Sequence, residues 1–320
     1  MARSASRTLQ GLLCYSSAVT GLMVSLVAGA QTTVPADSHG QLSEIVINAT
    51  EPRFVAPTRR DKIGRVWAPV MINGQGPFRL VLDTGASESA ITAPVASGLQ
   101  LTPDLSHAVL LRGVAGSAVV PTVRADSLSV GDLGIAPATL PIVADALGGA
   151  QGVLGTAGLS DKRIEIDFRH DRITIARSHG QRAPPEFITL ALERSDPGLL
   201  MVRGSVDLVR VHAVIDTGAE RSIGNEALRR ALVSRRAQGT VNQIIDVNTD
   251  VQTGEMFASP PIMLGGVEIR GARITYGEVR IFEHWQLARE PTLLIGMDAL
   301  GLLDALIIDY RRRELQLRTR

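Results

Sequence analysis

The hexapeptide "VLDTGA" (81–86) returns almost unchanged as "VIDTGA" (214–219). A turn that recurred by accident would not carry its neighbourhood with it, and here the neighbourhood recurs as well. Upstream, "VWAPVMINGQGPFRLVLDTGA" (66–86) lies without a gap on "LLMVRGSVDLVRVHAVIDTGA" (199–219). In each copy an apolar run, a polar turn (Asn73 to Pro77, Gly204 to Asp207) and a second apolar run predict a β-hairpin whose second strand delivers the Asp. Downstream, Val153-Leu154-Gly155 answers to Leu294-Ile295-Gly296, and "IDFRHDRITI" (166–175) to "IDYRRRELQL" (308–317). The two halves read as copies of one unit.

Between each Asp and its distal glycine the chain shows short alternating runs broken by glycines, such as "VRADSLSVGDLGI" and "ASPPIMLGGVEIRGARITYGEV". Helical periodicity is confined to "GNEALRRALVSRRA" (224–237) and to the segments after Gly155 and Gly296. The expected fold class is mainly β, two similar lobes with few short helices. Pro184-Pro185 and the polar residues of "SHGQRAPPEF" (178–187) mark the break between lobes. The expected division is a leader over 1–30, an extension or propeptide over 31–63, a first lobe over 64–178, a linker over 179–195 and a second lobe over 196–320.

The leader begins with Arg3 and Arg7, continues through "LQGLLCYSSAVTGLMVSLVAGA" and ends on Ala28-Gly29-Ala30. Charged start, apolar middle and small-x-small end predict a secretory signal peptide and a periplasmic or secreted protein. An uncleaved membrane anchor is the alternative. The single cysteine, Cys14, falls inside this segment, so the cleaved chain has no disulfide and no cysteine nucleophile. Within 31–63, "LSEIVINATEPRFVAPTRRD" suits either a strand joining the sheet between lobes or a propeptide over the cleft, and Asn48-Ala49-Thr50 fits a glycosylation sequon.

A net charge of +1 and 3% aromatic residues point away from nucleic-acid binding, and with the leader removed no stable membrane contact is expected. The six histidines (39, 107, 170, 179, 212, 284) lack metal-ligand spacing, so neither metal nor cofactor is expected. His212, on the strand leading to Asp216, is expected to point away from the site. Asp167 and Asp309 read as turn or cap residues, Asp298 as structural for a short helix after Gly296, and "RRALVSRR" as a solvated helix face.

A strand that runs into Asp-Thr-Gly sets a carboxylate where the chain turns. The glycine permits close approach of another segment, and the threonine can bond to main chain. Two such loops related by a two-fold axis bring two carboxyls together, and like charges that close share one proton. The ionised member can then take a proton from water while the protonated one polarises a carbonyl, a route to amide hydrolysis without metal or nucleophile.

Over most of 64–318 the sequence resembles the pepsin and retropepsin group of aspartic peptidases, whose mark is apolar-apolar-Asp-Thr-Gly-Ala/Ser with a later apolar-apolar-Gly. The resemblance implies a closed-barrel β fold of two pseudo-two-fold lobes and an endopeptidase whose partner is a polypeptide. It implies Asp83 and Asp216 as the catalytic pair and Thr84 and Thr217 as interlocking supports. Gly85 and Gly218 would pass close to the carboxyls, and Gly155 and Gly296 would lie under each loop. Ala86 and Ala219 stand where pepsin-like enzymes usually have Ser, which favours the retropepsin side and activity at less acidic pH. Both halves lie in one chain, so a monomeric pseudo-dimer is expected. Flaps are expected at "LLRGVAGSAVV" (110–120), with Gly113 and Gly116, and at "IDVNTDVQTGEM" (245–256), neither bearing a flap Tyr. Ser87-Glu88 and Glu220-Arg221 differ between the halves and would contact substrate, so unequal preferences on the two sides of the scissile bond are expected. The competing reading is a scaffold that binds peptides without turnover.

Overall fold

A computed structural model describes residues 53–57 and 64–319, apart from 131–132, 136–137, 194–198, 234–237 and 278. The signal-peptide reading, the sequon and Cys14 lie outside these residues. Thr50–Arg320 forms one compact unit.

Strand β1 (Arg53–Pro57) precedes the first lobe, which holds β2 (Trp67–Ile72), β3 (Gln75–Leu82), β4 (Ala90–Thr92), β5 (Asp104–Arg112), β6 (Ser117–Ala125), β7 (Leu128–Val130), β8 (Leu133–Ile135), β9 (Ala138–Val143) and β10 (Gly152–Leu154). Next come β11 (Lys162–Asp167), β12 (Arg172–Arg177) and β13 (Ile188–Ala191). The second lobe holds β14 (Met201–Val206), β15 (Val209–Ile215), β16 (Ser222–Gly224), β17 (Thr240–Ile245), β18 (Val251–Ala258), β19 (Ile262–Leu264), β20 (Val267–Ile269), β21 (Arg273–Gly277) and β22 (Thr292–Ile295). β23 (Ala305–Asp309) and β24 (Glu314–Arg318) close the chain.

The lobes share one design. The first sheet runs β5-β6-β9-β4-β10-β3-β2-β7-β8 and the second β17-β18-β21-β16-β22-β15-β14-β19-β20, the same order element for element. Each begins from the predicted hairpin. Asn73 and Gly74, at φ of 50° and 72°, make the tight turn between β2 and β3 that matches strand twist. Along β2 the burial alternates, with Ala68, Val70 and Ile72 inward, as the period of a strand requires. Where β3 and β15 enter the middle of their sheets the alternation gives way to continuous burial of Leu80–Leu82 and Ala213–Ile215. Those runs end at Asp83 and Asp216.

A six-stranded sheet, β1-β12-β11-β23-β24-β13, joins the lobes. Its centre is the antiparallel pairing of the two matched tails, Ile164 opposite Ile308. Here Asp309 does more than cap a turn. Its fully buried carboxylate pairs with Arg163 at 3.2 Å, accepts from Ser178 Oγ at 2.7 Å and from the Arg312 N–H at 3.0 Å, while Arg163 also donates to Gln316. Asp167 keeps to the turn, accepting from the Arg169 and His170 N–H groups. Residues 53–57, open at the sequence level, pair as β1 with β12 in this sheet. Within the 179–195 stretch, β13 pairs with β24.

Two expectations are corrected. Among the described residues no closed barrel forms: each nine-stranded sheet ends at two edges, β5 and β8 or β17 and β20. The hairpins β5–β6 and β17–β18 extend outward, leaving Leu105, Val119 and Val241 exposed, instead of curling back to pair with the far edge. No helix follows Gly155, because residues 156–161 make turns around Gly158 at φ 80°. The helices among the described residues are Ala93–Gly98, Glu226–Leu232 (capped by Asn225 on the Leu228 N–H at 2.9 Å), Ile281–His284 and Met297–Leu300. No helix among the described residues is long and apolar enough to cross a membrane.

Candidate active site

The two Asp-Thr-Gly loops meet between the lobes. β3 lies parallel to β10, and β15 parallel to β22. The ladders run on into the loops, the Asp83 N–H bonding Leu154 O at 3.0 Å and the Asp216 N–H bonding Ile295 O at 3.1 Å. Each Asp is therefore fixed at a strand end before its loop begins. Within each loop one carboxylate oxygen accepts two backbone N–H groups. Asp83 Oδ1 takes those of Gly85 (2.8 Å) and Ala86 (3.0 Å), and Asp216 Oδ1 those of Gly218 (2.9 Å) and Ala219 (3.1 Å).

Below the carboxyls the threonines interlock. Thr84 Oγ1 donates to Ile215 O (2.8 Å) and accepts the Thr217 N–H (3.1 Å), while Thr217 Oγ1 donates to Leu82 O (2.7 Å) and accepts the Thr84 N–H (3.2 Å). All four bonds are buried and cross between lobes, so neither loop can shift without leaving polar groups unpaired. The glycines are required by the opposing acid. A Cβ on Gly85 would come within 2.7 Å of Asp216 Oδ2, and one on Gly218 would run into the Asp83 carboxyl. The distal glycines serve each loop from behind. A Cβ on Gly296 would meet the Arg221 carbonyl at 2.6 Å, and one on Gly155 would strike that of Glu88.

Two serines also belong to this floor. Ser89 Oγ accepts the Gly155 N–H at 3.1 Å and Ser222 Oγ the Gly296 N–H at 3.2 Å, tying each loop to its distal glycine. Each stands six residues beyond its Asp, in "DTGASES" and "DTGAERS", a repeated signal in the sequence. Only the second half extends the chain of bonds, with Ser222 Oγ donating to Asp298 Oδ1 at 2.7 Å at the start of the Met297–Leu300 turn.

Burial pushes both dyad carboxyls up from the usual carboxylate range, against the loop N–H groups that favour the charged form. Asp216 is raised further, because the charge of Asp83 adds to its burial. The two side chains share a hydrogen bond, and they titrate as a pair. Asp216 is buried, whereas Asp83 stays partly open to the cleft. Arg65 breaks the symmetry. Its buried guanidinium donates to Leu147 O at 2.7 Å and lines the cleft, where its charge favours ionised Asp83. The aligned position of the second half is Gly198.

A cleft of about 1080 Å³ opens above the dyad. Ser87, Glu88, Glu220, Arg221 and Gly113 line it with Asp83 and Asp216. Arg221 is held by Glu220 at 3.2 Å. Gly116 does not line the cleft; its backbone meets the other hairpin. The tip of β5–β6 touches the tip of β17–β18 over the cleft, where Asp246 Oδ2 accepts the Ala115 N–H (3.0 Å) and the Gly116 N–H (2.8 Å). A side chain on Gly113 or Gly116 would run into Asp246 or Asp250. Gln252 and Asn248 add longer bonds to Ala115 O (3.5 Å) and Leu111 O (3.4 Å). Val114 packs against apolar residues of the second lobe and Val247 against those of the first, so each tip reaches across the cleft.

His212 faces away from the cleft, with Glu193 at 3.0 Å and Glu290 at 2.7 Å on its two ring nitrogens. Among the described residues no group of three or more His, Cys, Asp or Glu is placed to hold a metal.

Residues 68–157 match a family model described as aspartyl protease, a span running from β2 through Asp83 to just beyond Gly155. The match supports an aspartyl protease family. No curated protein matches the chain.

Proposed function

We propose that this chain is an aspartic endopeptidase that hydrolyses peptide bonds with one water shared between Asp83 and Asp216. The observation that carries the reading is the pair of buried, hydrogen-bonded carboxyls held rigidly by the crossed threonines at the base of an open cleft. Burial and mutual repulsion leave one proton on the pair at mildly acidic pH. The environment favours that proton on Asp216, so ionised Asp83 withdraws a proton from water as its oxygen attacks the substrate carbonyl. Asp216 gives its proton to the carbonyl oxygen. Collapse of the tetrahedral intermediate then returns a proton from the dyad to the leaving amine. The cleft admits an extended chain between the loops and the hairpin tips, which suits an endopeptidase. One chain supplies both carboxyls, so the monomer is the working unit, and the signal-peptide reading of 1–30 places it in the periplasm or outside the cell.

The test is mass-spectrometric detection of fragments from a diverse peptide mixture incubated between about pH 3 and 7. Asp83→Asn and Asp216→Asn are run beside the wild type. New fragments from wild type and none from either folded variant support the reading. A folded wild type that binds peptides yet yields no fragments makes the chain a peptide-binding scaffold and overturns it.

A further inference from the structure

The cleft floor repeats between the lobes down to its main-chain bonds, and the repeat breaks at one side chain. Behind the Asp83 loop the Thr156 and Ala157 N–H groups bond Ala86 O and Ser87 O, both at 2.9 Å. Behind the Asp216 loop the Met297 and Asp298 N–H groups bond Ala219 O and Glu220 O, at 2.9 and 3.0 Å. Ala157 and Asp298 are therefore twins, each two residues beyond its distal glycine, and one of them carries a carboxyl. That carboxyl accepts the Ser222 hydroxyl at 2.7 Å, and Ser222 Oγ accepts the Gly296 N–H at 3.2 Å. The carbonyl of the same peptide unit, Ile295 O, accepts the Asp216 N–H at 3.1 Å. A relay of three bonds thus joins the half-buried Asp298 to the backbone of Asp216. In the first half the relay ends at Ser89, which meets an alanine where Asp298 would stand.

Bonds in such a chain polarise one another. Ionised Asp298 draws the Ser222 proton toward itself, which strengthens the Gly296 bond and makes Ile295 O a better acceptor. Each change, with the charge itself, opposes a negative charge on Asp216. Arg65 does the reverse for Asp83, favouring its ionised form.

We infer that Asp298 is a positioning residue which, through Ser222, keeps the shared proton on Asp216, so that with Arg65 it gives the two acids of a duplicated site fixed and different roles. This rests on the peptidase reading above. Burial pushes the Asp298 carboxyl up from the usual range, while Ser222, the Ala299 N–H and the Arg221 guanidinium pull it toward the charged form. Burial and the charge of Asp83 hold Asp216 well above that range, so Asp298 is ionised where the dyad gives up its last proton. Arg221, itself paired with Glu220, faces Asp298, and the strands packed on the Met297–Leu300 turn, β16 and β22, carry no charged residue. The two charges push the limbs of the pH–rate bell apart, Arg65 moving the acid limb to lower pH and Asp298 the basic limb to higher pH.

The test pairs kinetics with a titration that needs no turnover. Wild type, Asp298→Asn, Asp298→Ala and Ala157→Asp are compared by pH profiles of kcat/KM, by thermal unfolding and by carbon-13 NMR of labelled Asp carboxyls. The dyad signals are those lost in Asp83→Asn and Asp216→Asn. Asn at 298 keeps an acceptor for the Ser222 hydroxyl and removes the charge. It is expected to lower the basic limb and the upper step of the dyad titration by roughly half a unit to one unit, or roughly three- to tenfold in kcat/KM on the alkaline side. The acid limb and Tm stay nearly where they were. Asp298→Ala cuts the relay as well and adds a loss of Tm. Ala157→Asp sets a carboxyl behind the other loop and is expected to move the acid limb to higher pH. An Asp298→Asn variant whose basic limb and upper dyad step match wild type, or whose kcat/KM falls equally at every pH with a lower Tm, makes Asp298 a structural support and overturns the inference. If wild type cleaves nothing, the peptidase reading falls by itself, and the carboxyl titration still decides whether Asp298 holds the proton on the dyad.

Discussion

The floor and the roof of the cleft are built from the same device and differ in symmetry. In both, two turns from different lobes meet, glycines permit the approach, and an Asp oxygen accepts two consecutive backbone N–H groups. At the floor the carboxylate, threonine and distal-glycine bonds each have a pseudo-two-fold twin, and all of the threonine bonds are buried. At the roof the bonds across the cleft run between backbone groups of one hairpin and side chains of the other, Asp246 accepting while Gln252 and Asn248 donate. The difference teaches what each end must do. On the peptidase reading proposed above, two carboxyls that share one proton need surroundings without play, whereas a roof over a cleft that takes a polypeptide must come apart and close again.

The comparison can be broken most severely at the floor. Gly218→Ala forces a methyl group into the Asp83 carboxyl, and a loss of cleavage of about a thousandfold or more is expected from steady-state kinetics. Next in size, Thr217→Val leaves Leu82 O and the Thr84 N–H without their partner, for roughly 2–4 kcal/mol of stability in urea unfolding. An unchanged midpoint would show the interlock to be dispensable. At the roof, Asp246→Ala removes two charge-assisted bonds across the roof and two more within its own hairpin turn. A several-fold rise in KM, little change in kcat and a smaller loss in the unfolding midpoint than for Thr217→Val are expected. Equal stability losses for Asp246→Ala and Thr217→Val would erase the distinction between floor and roof.

Two smaller effects concern charge. The dyad carboxyls have raised folded-state pKa values, so they bind protons more readily folded than unfolded. The stability this implies is complete below the unfolded carboxylate range and is lost as pH climbs through the raised values. Asp216→Asn is therefore expected to raise Tm relative to wild type at neutral pH and to leave the difference small in acid. Arg65→Gln removes the positive charge that favours ionised Asp83, and a shift of the acid limb of the pH–rate profile to higher pH, by a fraction of a unit, is expected.

Much of this was legible in the residues. The repeated Asp-Thr-Gly, the hairpins before it and the distal glycines all point to the floor, because a duplicated pattern filters accident from requirement. Ser89 and Ser222 carry the same duplicated signal and were open to the same reading. Arg65 and Asp246 have no twin, so their meaning depends on which segments the fold brings near them. The alternating residues of 245–256 do not reveal that Asp246 turns toward a hairpin more than a hundred positions earlier. Edge behaviour was equally hidden: whether β5 returns to close a barrel or stands out as a flap depends on packing at the far edge, not on its own alternation.

The shared proton is the centre of the account, and the pH dependence of kcat/KM on a single good peptide tests it most directly. A bell with two carboxyl limbs is predicted, its maximum lying above the ordinary carboxylate range because burial raises both members of the pair. A profile with one limb, or one that peaks below about pH 3, would contradict a buried dyad working as a single acid–base unit.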